Sequence, residues 1–179
     1  MNIESLKFPV GRFVSPESYT AEVVNTWIKD IELFPTRLID VLRGLNHDQL
    51  EWKYRPDGWN IKQVVHHCVD SHINSLVRFK LALTVDKPTI TPYDQDAWIQ
   101  LSDAQVPDLS DSLDILNGLH RKWAYLLNSL SAEQLNRQLI HPEHDHPLTL
   151  KHFIGLYAWH CNHHLGHVKQ AIAYKGVFN

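Results

Sequence analysis

The stretch YAWHCNHHLGHVKQ, residues 157–170, carries histidines at 160, 163, 164 and 167. Neutral imidazole is the commonest metal ligand among side chains. On a helix, residues four apart share a face one turn from each other, so His160 with His164 competes with His163 with His167. The apolar residues Leu150, Ile154, Tyr157, Cys161, Leu165, Val168 and Ile172 recur at helical spacing and define the buried face. His160 and His164 fall at the edge of that face, and His163 is predicted to point to water. The period therefore favours the first pair. Two partly buried histidines bonded to neighbours would leave the same trace, so the pair alone does not decide between a ligand role and a structural one.

A third ligand has to come from elsewhere, and GWNIKQVVHHCVDSH, residues 58–72, offers His66, His67, His72 and Asp70. Here periodicity selects a different residue. The face of Ile61, Val64, Val65 and Cys68 has His72 near its middle, with His67 roughly 110° and His66 about 150° away. Spacing thus leaves His72 as a ligand or a satisfied core histidine. Cys68 and Cys161 each follow one of these histidines; they are expected as small buried hydrophobes, with thiolate ligation as the alternative. His141, Glu143, His144, Asp145 and His146 crowd a loop, where coordination geometry is hard to fix. No HExxH is present, which removes the zincin mechanism. The one Glu-x-x-His match, Glu143 to His146, lies between prolines rather than on a helix pair, against a di-iron bundle.

The elements that would position these residues read as helices. Ser15-Pro16 is the expected start of the first, with Val24, Trp27, Ile28, Ile31, Phe34, Leu38, Leu42 and Leu45 at helical spacing and a kink expected at Pro35. Asn60, with Gln63 three residues on, caps a second helix from about Ile61 to Leu83. Residues 84–110 carry three prolines and no period, a long crossover in which Tyr93 and Asp94 either line an entrance or serve a turn beside Pro92. Leu116, Leu119, Trp123, Leu126, Leu127 and Leu130 stripe a third helix. A short helical turn at SAEQL and the polar loop HPEHDHP follow, and Thr149 caps the fourth. No alternating strand pattern occurs. The expected architecture is an all-α four-helix bundle with one long crossover, in a single domain over residues 1–179.

The chain of 179 residues, 44% hydrophobic and 21% charged, can bury a core without a metal or disulfides to hold it together. Its thirteen histidines are therefore not needed for folding. The net charge of −3 and the scattered lysines and arginines exclude a phosphate-backbone partner. No run of eighteen apolar residues exists to span a membrane. Glu4 and Lys7 stand where a signal peptide would be apolar, and two cysteines are too few for a disulfide framework, so a cytoplasmic location is expected.

GWNIKQVVHHCVDSH, with Trp59, His67 and Asp70, resembles the first metal-binding stretch of the DinB/YfiT-like superfamily, and YAWHCNHHLGH resembles the second. RPDGWNIKQVVHHCVDSHINSLVRFKLALT, KPTITPYDQDAW, LHRKWAYLL, HPEHDHPLTL and LYAWHCNHHLGH resemble, in order, stretches of its YfiT group, also called bacillithiol transferases. They span about residues 55 to 167. The resemblance implies a four-helix bundle, a cytoplasmic homodimer, and one divalent ion, zinc or nickel, on His67, His160 and His164. His167 departs from the pattern, standing where many members have Gln. Three histidines leave a coordination position open, as catalytic sites do. Such a site can activate water for hydrolysis or deprotonate a low-molecular-weight substrate thiol for S-transfer. Asp70, one turn from His67, is the candidate partner or proton acceptor. The expected function is a metal-dependent hydrolase acting on a small molecule. A thiol S-transferase is the alternative, and a non-catalytic helical dimerisation or binding module is the rival from another class.

Overall fold

The computed structural model describes residues 2–178. Its elements are α1 (Ile3–Lys7), α2 (Ala21–Leu42), α3 (His47–Leu50), α4 (Ile61–Thr84), α5 (Gln95–Trp98), a 3-10 turn (Ser102–Gln105), α6 (Ser110–Asn128), α7 (Ala132–Leu135), strands β1 (Gln138–Leu139) and β2 (Leu148–Thr149), and α8 (Leu150–Tyr174). The four long helices α2, α4, α6 and α8 form the bundle; α2 packs on α6 and α8, and α4 packs on the same two from the other side. The two strands pair antiparallel, Gln138 with Thr149 and Leu139 with Leu148, and clip the HPEHDHP loop at its base. No described helix is long and apolar enough to cross a membrane.

Three of the four long helices start under a capping side chain, one of them away from its expected position, while α6 follows Leu109 with no side-chain cap. Asn60 accepts from the Gln63 backbone N–H while the Gln63 side chain accepts from the Asn60 N–H, a reciprocal box that fixes the start of α4. Thr149 accepts from the His152 N–H and starts α8. The first long helix, however, begins at Ala21 under Thr20 rather than at Ser15-Pro16. The Ser15 hydroxyl is spent instead on His152 Nδ1 of α8, 3.2 Å away, beside the Tyr19 hydroxyl at 3.0 Å. Pro35 lies inside α2 and does not end it. Its ring carries no N–H, so the carbonyl four residues back, that of Ile31, receives no helical hydrogen bond.

The core follows the expected stripes: Val24, Ile28, Ile31, Phe34 and Leu38 from α2, Leu116, Trp123 and Leu127 from α6, and Leu150, Ile154, Cys161 and Val168 from α8. Helix α4 departs from a one-sided pattern. His66 and His67 are buried alongside Val64, Val65, Cys68 and His72, because this helix is covered by α6, α8 and the 3-10 turn of the crossover. Close approach also requires Gly155 on α8, where a Cβ would stand 2.8 Å from the Trp27 ring.

Candidate metal centre

His67 comes from the second turn of α4, and His160 and His164 from adjacent turns of α8. One ligand nitrogen from each of the three lies within 4.8 Å of the others. His67 Nε2 and His160 Nε2 are 3.3 Å apart. Two nitrogens bound at about 2.0–2.1 Å to one tetrahedral ion stand about 3.3 Å from each other, so the His67–His160 spacing is the one that two ligands of a zinc-sized cation keep. His67 is 2% exposed and His164 is 7% exposed, while His160 is partly open. The site therefore has a dry floor and one accessible side.

Burial pushes the His67 imidazole down to about 4, with His163 adding to the effect. Burial first, and neighbouring imidazoles second, hold His160 and His164 well below the ordinary histidine range. All three are thus neutral at pH 7, the form that coordinates a metal. His67 Nδ1 is buried without a hydrogen-bond partner. Trp59 packs on the His67 ring at 4.8 Å between centroids, and its indole N–H donates to Asp96 of the crossover at 3.0 Å.

Two other groups of candidate ligands lie nearby. His72, His120 and Cys161 also fall within 4.8 Å of one another. His72 Nδ1 and His120 Nε2 are only 2.8 Å apart, a hydrogen-bond spacing shorter than two ligands of one ion keep. Cys161 and Cys68 are fully buried, which raises both thiols and leaves them as small core hydrophobes. The third group, His163, His164 and His167, shares His164 with the first. In it His167 Nε2 donates to the Lys7 carbonyl at 3.0 Å, so its Nδ1 is free to accept from His164 Nδ1 at 3.4 Å. That leaves the opposite nitrogen of His164 for the first group. The HPEHDHP loop forms no such group among the described residues.

The expectation that His163 faces water is corrected. It is 8% exposed, stacked on Trp159 at 4.5 Å and covered by Phe8 at 5.8 Å. The N-terminal segment supplies that cover, and a wheel drawn on α8 alone cannot include it. His72 sits at 0% exposure, as the period of α4 predicts. Asp70 does not join the cluster; it lines a separate cavity with His66 and Asp103, and burial, then Asp103, push its carboxyl up to about 6.

The cluster opens on two adjoining clefts that share His160 and Gln95. One, about 340 Å³, contains His67, His160 and His164 with Trp59 and Phe8 on its walls. The other, about 220 Å³, runs from His160 and Ser71 past Tyr93 and Tyr157 to Arg78. Tyr93 is thus a wall residue, whereas Asp94 serves the turn, capping α5 through the Ala97 N–H. The Tyr93 hydroxyl is buried near Ser71 without a partner at hydrogen-bonding geometry, and burial raises it further from ionisation. Arg78, which sequence reasoning passed over, is 9% exposed. It donates to the Tyr157 hydroxyl at 3.2 Å and the Thr91 carbonyl at 3.1 Å. None of the ion pairs among the described residues involves it.

The architecture and the histidine cluster agree with what the chain is similar to. A Bacillus cereus (strain B4264) protein named "Putative metal-dependent hydrolase" is 44% identical over 166 residues, covering 93% of this chain and 95% of the relative. The Bacillus subtilis (strain 168) "Putative metal-dependent hydrolase YfiT" is 40% identical over 170 residues, 95% of this chain and 96% of the relative. A solved structure of Bacillus subtilis YfiT, described as a probable metal-dependent hydrolase with an unusual four-helix bundle topology, superposes with a TM-score of 0.92 at 39% identity, over 97% of this chain and 99% of the other. The family model of the DinB superfamily matches residues 30–168. The chain belongs to the DinB superfamily.

Proposed function

We propose that the protein is a metal-dependent hydrolase of the YfiT type, with one divalent ion, zinc or nickel, held by His67, His160 and His164. The observation that carries this reading is the convergence of three neutral imidazoles from two helices at the floor of an open cleft. A divalent ion there supplies Lewis acidity, toward water for hydrolysis or toward a thiol for S-transfer. The names of the Bacillus relatives support the hydrolase. The remaining residues act on the substrate. Trp59 and Phe8 exclude water from one wall, and Arg78 at the far end of the second cleft attracts a negatively charged or strongly accepting end of a small molecule. A homodimer in the cytoplasm belongs to the same proposal; it rests on the family resemblance, and sedimentation of the purified protein checks the dimer.

Metal analysis of the purified protein beside a His160→Ala variant tests the reading. About one equivalent of divalent metal per chain is expected in the wild type, with most of it lost in the variant. Equal metal content in both would overturn the proposal. Incubating the metal-loaded protein with simple esters and amides, and separately with small thiols and a chlorinated electrophile, separates the two chemistries. Conjugates formed without any cleavage would replace hydrolysis by S-transfer.

A further inference from the structure

A row of hydrogen-bonded imidazoles leads from the cluster into the core. His160 Nδ1 lies 3.1 Å from His72 Nε2, His72 Nδ1 lies 2.8 Å from His120 Nε2, and His120 Nδ1 lies 2.5 Å from the Ile31 carbonyl. That carbonyl is the one Pro35 leaves without its helical N–H. A carbonyl oxygen only accepts, so the direction of every bond in the row follows from its far end. His120 donates from Nδ1 and, being neutral, accepts at Nε2; His72 then donates from Nδ1 and accepts at Nε2; His160 donates from Nδ1. The His160 lone pair is left on Nε2, the atom that faces His67 Nε2. The reverse polarity would require a charged His120 at 0% exposure and would place a proton on His160 Nε2, where it blocks coordination.

We infer that Pro35, the Ile31 carbonyl, His120 and His72 form a positioning row that locks His160 in the one neutral tautomer able to bind a metal. This rests on the metal reading above. Pro35 deletes one helical hydrogen bond, and the freed acceptor sets the proton position on His160 three bonds away. A metal-bound histidine is commonly fixed by an acceptor at its other nitrogen; here that acceptor is itself a histidine, whose own tautomer has to be set by something further in.

The test uses the whole chain labelled with nitrogen-15 in its imidazoles. In the metal-free wild type, long-range proton–nitrogen correlation spectra are expected to show His120, His72 and His160 each protonated at Nδ1 and bare at Nε2. A proton on Nε2 of His72 or His160 overturns the row, and this measurement needs no variant to fold. Cobalt affinity, read from its visible absorption against a competing chelator, gives the second arm. His120→Leu keeps the core filled but leaves His72 Nδ1 without an acceptor, so cobalt affinity is expected to fall by about 10–100-fold, and it leaves the Ile31 carbonyl without a donor, so Tm falls as well. His120→Gln retains an acceptor and a donor in one side chain and should recover most of that loss. Wild-type affinity in His120→Leu refutes the row, as does equal loss in the Leu and Gln variants. If the wild type takes up no cobalt, the metal reading fails instead, and the spectra of the metal-free protein still decide the row.

Discussion

Arg78 is placed in the wall of the second cleft with only neutral partners, and a buried guanidinium held by a hydroxyl and a carbonyl retains most of its attraction for an anion. Glu143 lines the same cleft but is exposed and, among the ion pairs of the described residues, forms none with Arg78, so it does not neutralise the charge. Arg78→Met should therefore abolish discrimination between matched ligands. On the cobalt-loaded protein, a hydroxamate with a carboxylate tail is expected to bind about tenfold more tightly than the alkyl hydroxamate of equal length. In Arg78→Met the two should bind alike, and a surviving preference would assign the charge selectivity to another residue. At this scale the sequence was informative only in part. The pair His160 and His164 is legible from the period of α8, because both sit at the rim of one apolar face. His67 is not, because α4 is buried on more than one face and its apolar residues no longer point to a single direction. Only the resemblance of its motif singled it out. His120 and Arg78 carried no signal, since each looks like an ordinary residue on a helix until its neighbours from other helices are in place.

Among elements, caps and stripes were the most readable features, because each depends on residues within one or two turns. Asn60, Thr149 and the leucines of α6 gave their helices directly, while Ser15 misled because its partner, His152, is 137 residues away. Elements of one turn, α1, α3 and α5, had no period to reveal them. The reciprocal cap at Asn60 also orients the turn that leads to His67, and Asn60 Nδ2 and Lys62 Nζ both bond the Glu51 carboxylate. Asn60→Ala removes the cap and one of these bonds together. It should cost about 1–2 kcal/mol, seen as a drop in Tm of about 3–6 °C. An unchanged Tm would mean that α4 is held by its packing alone.

Over the whole molecule, the interior holds far more imidazole than a core of this size needs, and that has a consequence in acid. Folded His67 and His120 both titrate near 4, chiefly through burial, against 6.5 for free histidine. Between those values the unfolded chain takes up protons that the folded protein refuses. Their contribution is therefore complete above pH 6.5 and is lost as pH falls from 6.5 toward about 4. Each residue then withdraws roughly 3 kcal/mol across the window. A domain is held by only about 5–15 kcal/mol, and His72, His160 and His164 are shifted in the same direction. The metal-free protein should therefore unfold cooperatively with a midpoint inside this window, followed by near-ultraviolet circular dichroism. Excess zinc should move the midpoint to lower pH, because an ion that binds only the neutral, folded cluster opposes protonation until it is released. A metal-free chain that keeps its near-ultraviolet signal at pH 4 would show that these imidazoles accept protons inside the folded bundle, and a midpoint indifferent to zinc would remove the coupling between the ion and the fold.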